Sequence, residues 1–132
     1  MAQLKRVDMR EFEVGDCWKC CLATILGLSY SQVPHFRKKY GAEDRMKKTV
    51  EWLYVKHSIT LVSLAGLPLN LDLRPQAAAD APFYYIVTGV SPRTKSGRLF
   101  HSVIYEGSNM VFDPHPSRAG ILMSHLTSHI LV

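Results

Sequence analysis

The stretch GDCWKCCLATILG, residues 15–27, decides how the rest of the chain is read. Trp18, Cys21, Leu22, Ile25 and Leu28 recur at i, i+3, i+4, i+7 and i+10, one face of an amphipathic helix over 17–28. Gly15 and Asp16 punctuate its start and Gly27 its end. The same stretch holds the chain's three cysteines, Cys17, Cys20 and Cys21. The helix therefore carries its own chemical question: redox pair, metal site, nucleophile or buried thiols.

Downstream, residues 31–40 read as a second, short helix closed by Gly41. A third spans 43–57, with Met46, Val50, Leu53 and Tyr54 on one face. Then the period changes. Residues 59–64 (ITLVSL), 82–90 (PFYYIVTGV), 99–107 (LFHSVIYEG) and 109–114 (NMVFDP) are β-branched and aromatic runs bounded by turn residues. Tyr84 and Tyr85 fall on opposite faces of their strand, so at most one is core. Only Gly107 and Ser108 separate the last two runs, the mark of an antiparallel hairpin. The segment 67–82 reads as loop with a short extended piece at LNLDL, and 91–98 as a polar loop. The tail, 120–132, fits a helix or a final strand equally. Helices first and strands after predict an α+β fold, with helices packed on one face of an antiparallel sheet.

A chain of 132 residues suits one domain over 1–132. Apolar residues make up 47% and charged residues 20%, a globular balance. No apolar run is long enough for a membrane span, and the first residues lack the apolar core of a secretory signal. With an odd cysteine count this points to a reducing, cytoplasmic setting. The net charge of +5 comes largely from Arg37, Lys38, Lys39, Arg45, Lys47 and Lys48. These read as solvated helix faces, and with no recognition motif nucleic acid is not the expected partner.

Cys17-Trp-Lys-Cys20 has the spacing of a thiol–disulfide site, but the buried strand that precedes such a site is missing. Zinc needs four ligands; His125 and His129 lie i, i+4 in apolar surroundings at the chain end, so no metal is expected. Cys20 and Cys21 lie on or beside the apolar stripe and read as core groups. Cys17 differs. It sits in the first turn, where unpaired N–H groups and the helix dipole stabilise an anion, and a thiolate is the attacking species. Asp16 opposes this by charge unless it caps the helix.

A nucleophilic cysteine needs a base and a group to orient it. His101 opens one hairpin strand and Asp113 ends the other, which predicts a cross-strand pair with Cβ atoms roughly 4.5–5.5 Å apart. The order Cys, His, Asp is the logic of nucleophilic acyl transfer. Taken alone, His101 would be a strand-end histidine bonded to backbone, and Asp113 a turn starter before Pro114. Trp18 reads as helix packing first and as a cleft wall second. His115 is a candidate cleft residue or an exposed turn histidine.

GDCWKCCLATILGL followed by QVPHF, with TGVSPR, FHSVIYEG and VFDPHPSRAGI, resembles the papain-like cysteine peptidase superfamily. The likeness is to bacteriocin-leader-processing peptidase domains and, more, to small phage and bacterial relatives. It covers residues from about Val7 to about Ile121. It implies a papain-like fold with Cys17 as nucleophile, His101 as base and Asp113 as orienter. The implied function is a thiol hydrolase, a cysteine peptidase or isopeptidase/amidase, that cleaves an amide or related acyl bond through an acyl-enzyme. The implied partner is a peptide or protein substrate, with no cofactor. One departure stands out: the oxyanion-binding Gln expected a few residues before Cys17 is missing. Glu11 lies six residues upstream, the relatives' Gln falls near Met9, and Gln3 is the one Gln upstream. Losing such a donor costs about 10²–10³ in kcat. Gln3 is thus the oxyanion candidate. The alternatives are a weak or inactive binding module of this fold, an acyl transferase, or a C-x-x-C oxidoreductase.

Overall fold

The computed structural model describes residues 4–67, 83–95 and 99–132. Helix α1 is Cys17–Leu26, closed by Gly27 in the left-handed conformation, with Leu28 N–H returning to Ala23 O at 2.9 Å. A 3₁₀ turn, Tyr30–Gln32, leads to helix α2, Phe36–His57. The strands are β1 Leu61–Ala65, β2 Tyr84–Val90, β3 Phe100–Glu106, β4 Asn109–Phe112 and β5 Thr127–Leu131. They form one sheet in the order β1-β5-β2-β3-β4, antiparallel throughout. The described residues are therefore α+β, with two helices against a five-stranded antiparallel sheet.

The apolar face of α1 meets the sheet as its period requires. Trp18, Cys21 and Leu22 pack with Phe36, Leu53, Ile86, Ile104 and Phe112. The opposite sheet face is also apolar: Tyr85, Val87, Val103, Tyr105 and Ile130 cluster beneath Ile121 and Leu126. Tyr84 is half-buried on the helix side and Tyr85 is buried on the other, as alternation demands. Cys20 and Cys21 are fully buried. The Cys21 thiol donates to Ser102 O at 3.4 Å, tying α1 to β3.

Three expectations need correction, and one open choice is resolved. Residues 31–40 are not one helix, because Pro34 disfavours helical geometry at Val33, and α2 starts only at Phe36. The buried stripe of α2 holds Thr49 and Leu53, whereas Val50 and Tyr54 are exposed. Thr49 is buried because its hydroxyl accepts from the Trp18 indole at 3.0 Å and donates to Arg45 O at 2.7 Å. Of the two readings left open for the tail, the strand holds: it ends in β5, inserted between β1 and β2. Finally, the β3–β4 register pairs Ile104 with Phe112, so its continuation sets Asp113 opposite Val103. His101 and Asp113 are diagonal neighbours. The expected extended piece at LNLDL and the candidate Gln3 lie outside the described residues.

Gly41 breaks α2 with φ 83° and ψ 170°, a region essentially closed to side-chain-bearing residues. The break lets Phe36 and Arg37 on one side, and Ala42 and Arg45 on the other, line the same cleft. A methyl at Gly41 would touch nothing, so Gly41→Ala isolates the backbone cost. We expect a loss of about 1–3 kcal/mol, read as a lower urea midpoint at unchanged slope. An unchanged midpoint would show that the break is not required.

Candidate active site

Cys17, the first residue of α1, is only partly exposed and lies at the wall of a cleft of about 260 Å³. His101, Ser102, Trp18 and Arg45 line the same cleft. Asp16 precedes the helix but its side chain does not cap it. The carboxylate turns back instead: its Oδ2 accepts from Arg10 N, Glu11 N and Tyr30 OH at 3.1, 3.2 and 2.6 Å. That leaves the first-turn N–H groups to other acceptors. The backbone N–H groups of Trp18 and Ser102 are near enough to the Cys17 sulfur to favour its thiolate. The Cys17 N–H has no acceptor among the described residues.

His101 is buried at the start of β3, and its Nε2 donates to Asp113 Oδ1 at 2.6 Å. The ring's other nitrogen is left for Cys17, whose sulfur is close enough for each group to shift the other's ionisation. Asp113 is itself held. Its Oδ1 accepts from His115 N at 2.9 Å and its Oδ2 from Gly120 N at 2.7 Å. The Arg118 guanidinium donates to the Asp113 carbonyl and pairs with Asp8 at 2.7 Å. Met9 N–H donates to Pro114 O at 3.0 Å. The N-terminal segment is thereby stitched to the loop that carries Asp113.

Burial alone would raise the Cys17 pKa. The hydrogen bond and charge of His101, with the two N–H donors, outweigh it and hold the thiol below its ordinary value. Burial likewise opposes a charged His101, but the bonds to Asp113 and Cys17 raise its pKa to about 9. Asp113 is held below the ordinary carboxylate value, because His101, His115 N–H and Gly120 N–H overcome its burial. These directions favour a thiolate–imidazolium pair braced by a carboxylate, an arrangement able to attack a carbonyl and protonate a leaving group.

The remaining candidates fall in different places. Trp18 is both core and cleft wall: its indole is 4% exposed, bonded to Thr49, and edge-on to His129 at 4.9 Å. His115 stands 6.1 Å from the His101 ring but is not among the cleft-lining residues; its Nδ1 accepts from Ser117 N. At the position where the resemblance leads us to expect a Gln, Met9 packs against Gly15. Glu11 points away, to Lys38 at 2.8 Å and His35 at 3.2 Å. His129 bonds Ser63 through Nδ1 at 2.8 Å, and burial with nearby Arg45 lowers its pKa to about 4. Among the described residues no three or more His, Cys, Asp and Glu side chains converge to hold a metal. Nor is any described helix long and apolar enough to cross a membrane.

Arg45 escaped the sequence reading. In sequence it belongs to a solvated run with Lys47 and Lys48; the cleft takes Arg45 because Ala42 and Arg45 share a helical face. The chain matches no protein-family model, no curated protein and no solved structure.

Proposed function

We propose that this protein is a papain-like thiol hydrolase that cleaves an amide, isopeptide or related acyl bond of a peptide or protein. The observation that carries the reading is the buried Asp113–His101 contact of 2.6 Å, with His101 sharing a cleft with, and electrostatically coupled to, a cysteine at a helix start. In the proposed cycle the Cys17 thiolate attacks the carbonyl carbon, whose π electrons move to oxygen. Collapse of the tetrahedral adduct expels the amine, which takes the His101 proton. Water then attacks the thioester, giving its proton to His101. The thiolate leaves, and the acid product departs. The Cys17 N–H supplies one donor to the oxyanion. An amine in place of water would make the same machinery a transferase.

A C-x-x-C oxidoreductase would need a second exchangeable thiol. Cys20 is fully buried, its S–H donates to Asp8 O at 3.5 Å, and burial pushes its pKa up. A peptidyl vinyl sulfone separates the readings. We expect one adduct, on Cys17, seen by peptide mass spectrometry, and an unchanged labelling rate in Cys20→Ser. No adduct on Cys17 would leave a binding module; loss of labelling in Cys20→Ser would revive the redox pair.

A further inference from the structure

Besides His101, four basic side chains line the cleft around Cys17, and two of them are engaged. Lys19 lies over the Tyr30 ring at 3.7 Å, and His35 bonds Glu11 and the Val14 carbonyl. Arg37 and Arg45 have no acidic partner among the described residues. The one carboxylate in the wall, Asp16, accepts through Oδ2 from the N-terminal segment and Tyr30, and its buried Oδ1 pairs with neither arginine. Arg45 is part-buried, and its guanidinium is close enough to couple electrostatically to the Cys17 sulfur. Apart from the Cys17 thiolate itself, Arg45 has no counter-charge among the described residues, and holding a guanidinium partly out of water without a carboxylate partner is costly. An incoming anion would offset that cost, and a guanidinium fork fits a carboxylate in two-pronged fashion.

Resting on the hydrolase reading above, we infer that the substrate carries a carboxylate beside the scissile acyl group, received by Arg45 with Arg37 at the cleft mouth. The substrate class is thus an acidic peptide, with an Asp or Glu side chain or a chain-terminal carboxylate next to the bond cut.

Iodoacetate and iodoacetamide test this without a known substrate. Both lose iodide to the same Cys17 thiolate, so any effect of Arg45 on thiol ionisation cancels in the ratio of their rates. Only an interaction with the reagent's carboxylate remains. Relative to the ratio shown by glutathione, we expect Cys17 to favour iodoacetate by about tenfold, the low end of the gain that a charged cleft confers. Arg45→Ala and the bulkier Arg45→Gln should each remove most of this preference. Arg45→Lys should keep part of it, and Lys47→Ala, an exposed cation on the same helix, should leave it unchanged. If Cys17 reacts with iodoacetamide at low pH but shows no iodoacetate preference, the carboxylate site is wrong and the hydrolase stands. A preference that survives both Arg45 variants overturns the assignment to Arg45. If Cys17 is inert to both reagents, both readings fall.

Discussion

His101→Ala is expected to abolish the low-pH reactivity of Cys17, cutting its alkylation by iodoacetamide at pH 6 on the order of 10². A thiol at its ordinary value of 9.0 is ionised at pH 6 to about one part in a thousand. Without the imidazolium, burial would leave Cys17 no better than that. Part of the loss is returned, since a more basic thiolate is intrinsically the better nucleophile. In the wild-type protein the two shifts have opposite signs and widen one window. The lowered Cys17 pKa keeps the thiolate down to lower pH, and the raised His101 pKa keeps the imidazolium up to about pH 9. Hydrolysis should therefore hold between those limits, fall on the acid side as Cys17 takes its proton, and fall above about pH 9 as His101 loses its own. The two steps belong to the coupled pair rather than to either residue alone. The measurement is the rate-against-pH profile of each cysteine, read by peptide mass spectrometry. Cys20 and Cys21, both pushed up by burial, serve as internal controls. A Cys17 that titrates like a free thiol in both proteins would end the enzymatic reading.

How much of this was legible in the sequence depends on the range over which each feature is determined. Helix α1 was readable because its apolar period and both its ends lie within 13 residues, 15–27. The β3–β4 hairpin was readable because two turn residues, Gly107 and Ser108, fix it locally. The stripe of α2 was not. Hydropathy selects Val50 and Tyr54, yet the buried position is Thr49, chosen by an indole N–H 31 positions away in sequence. Strand β5 pairs Ser63 with His129, a long-range register that no local period encodes. Whether Asp16 caps the helix was open in sequence, and the placement of Arg10, Glu11 and Tyr30 decides it by drawing the carboxylate off the helix end. The Cys17–His101–Asp113 set was readable as residue types in order. Its geometry was not, because the diagonal offset depends on a register irregularity between Ile104 and Tyr105.

Asp113→Asn should separate positioning from folding at this site. The asparagine can keep one oxygen on His101 and His115 N–H, but its amide then meets the Gly120 N–H, donor against donor. That mismatch should cost about 1–3 kcal/mol of stability, visible as a lower urea midpoint. The chemical loss should be far larger, on the order of 10³–10⁴ in turnover, because Asp113 acts through His101. Without the carboxylate, the imidazolium loses the hydrogen bond and charge that offset its burial. The alkaline limb should move below about pH 9, and the low-pH reactivity of Cys17 should shrink with it. Stability carries a sign of its own. A carboxyl held below its ordinary value of 3.8 stabilises the fold above that pH, and the contribution fades as pH falls through the lowered folded value. The wild-type advantage over Asp113→Asn should therefore be present at pH 7 and narrow only in strong acid. A variant that lost stability but kept the wild-type pH profile of Cys17 would make Asp113 a scaffold for the 113–120 loop and nothing more.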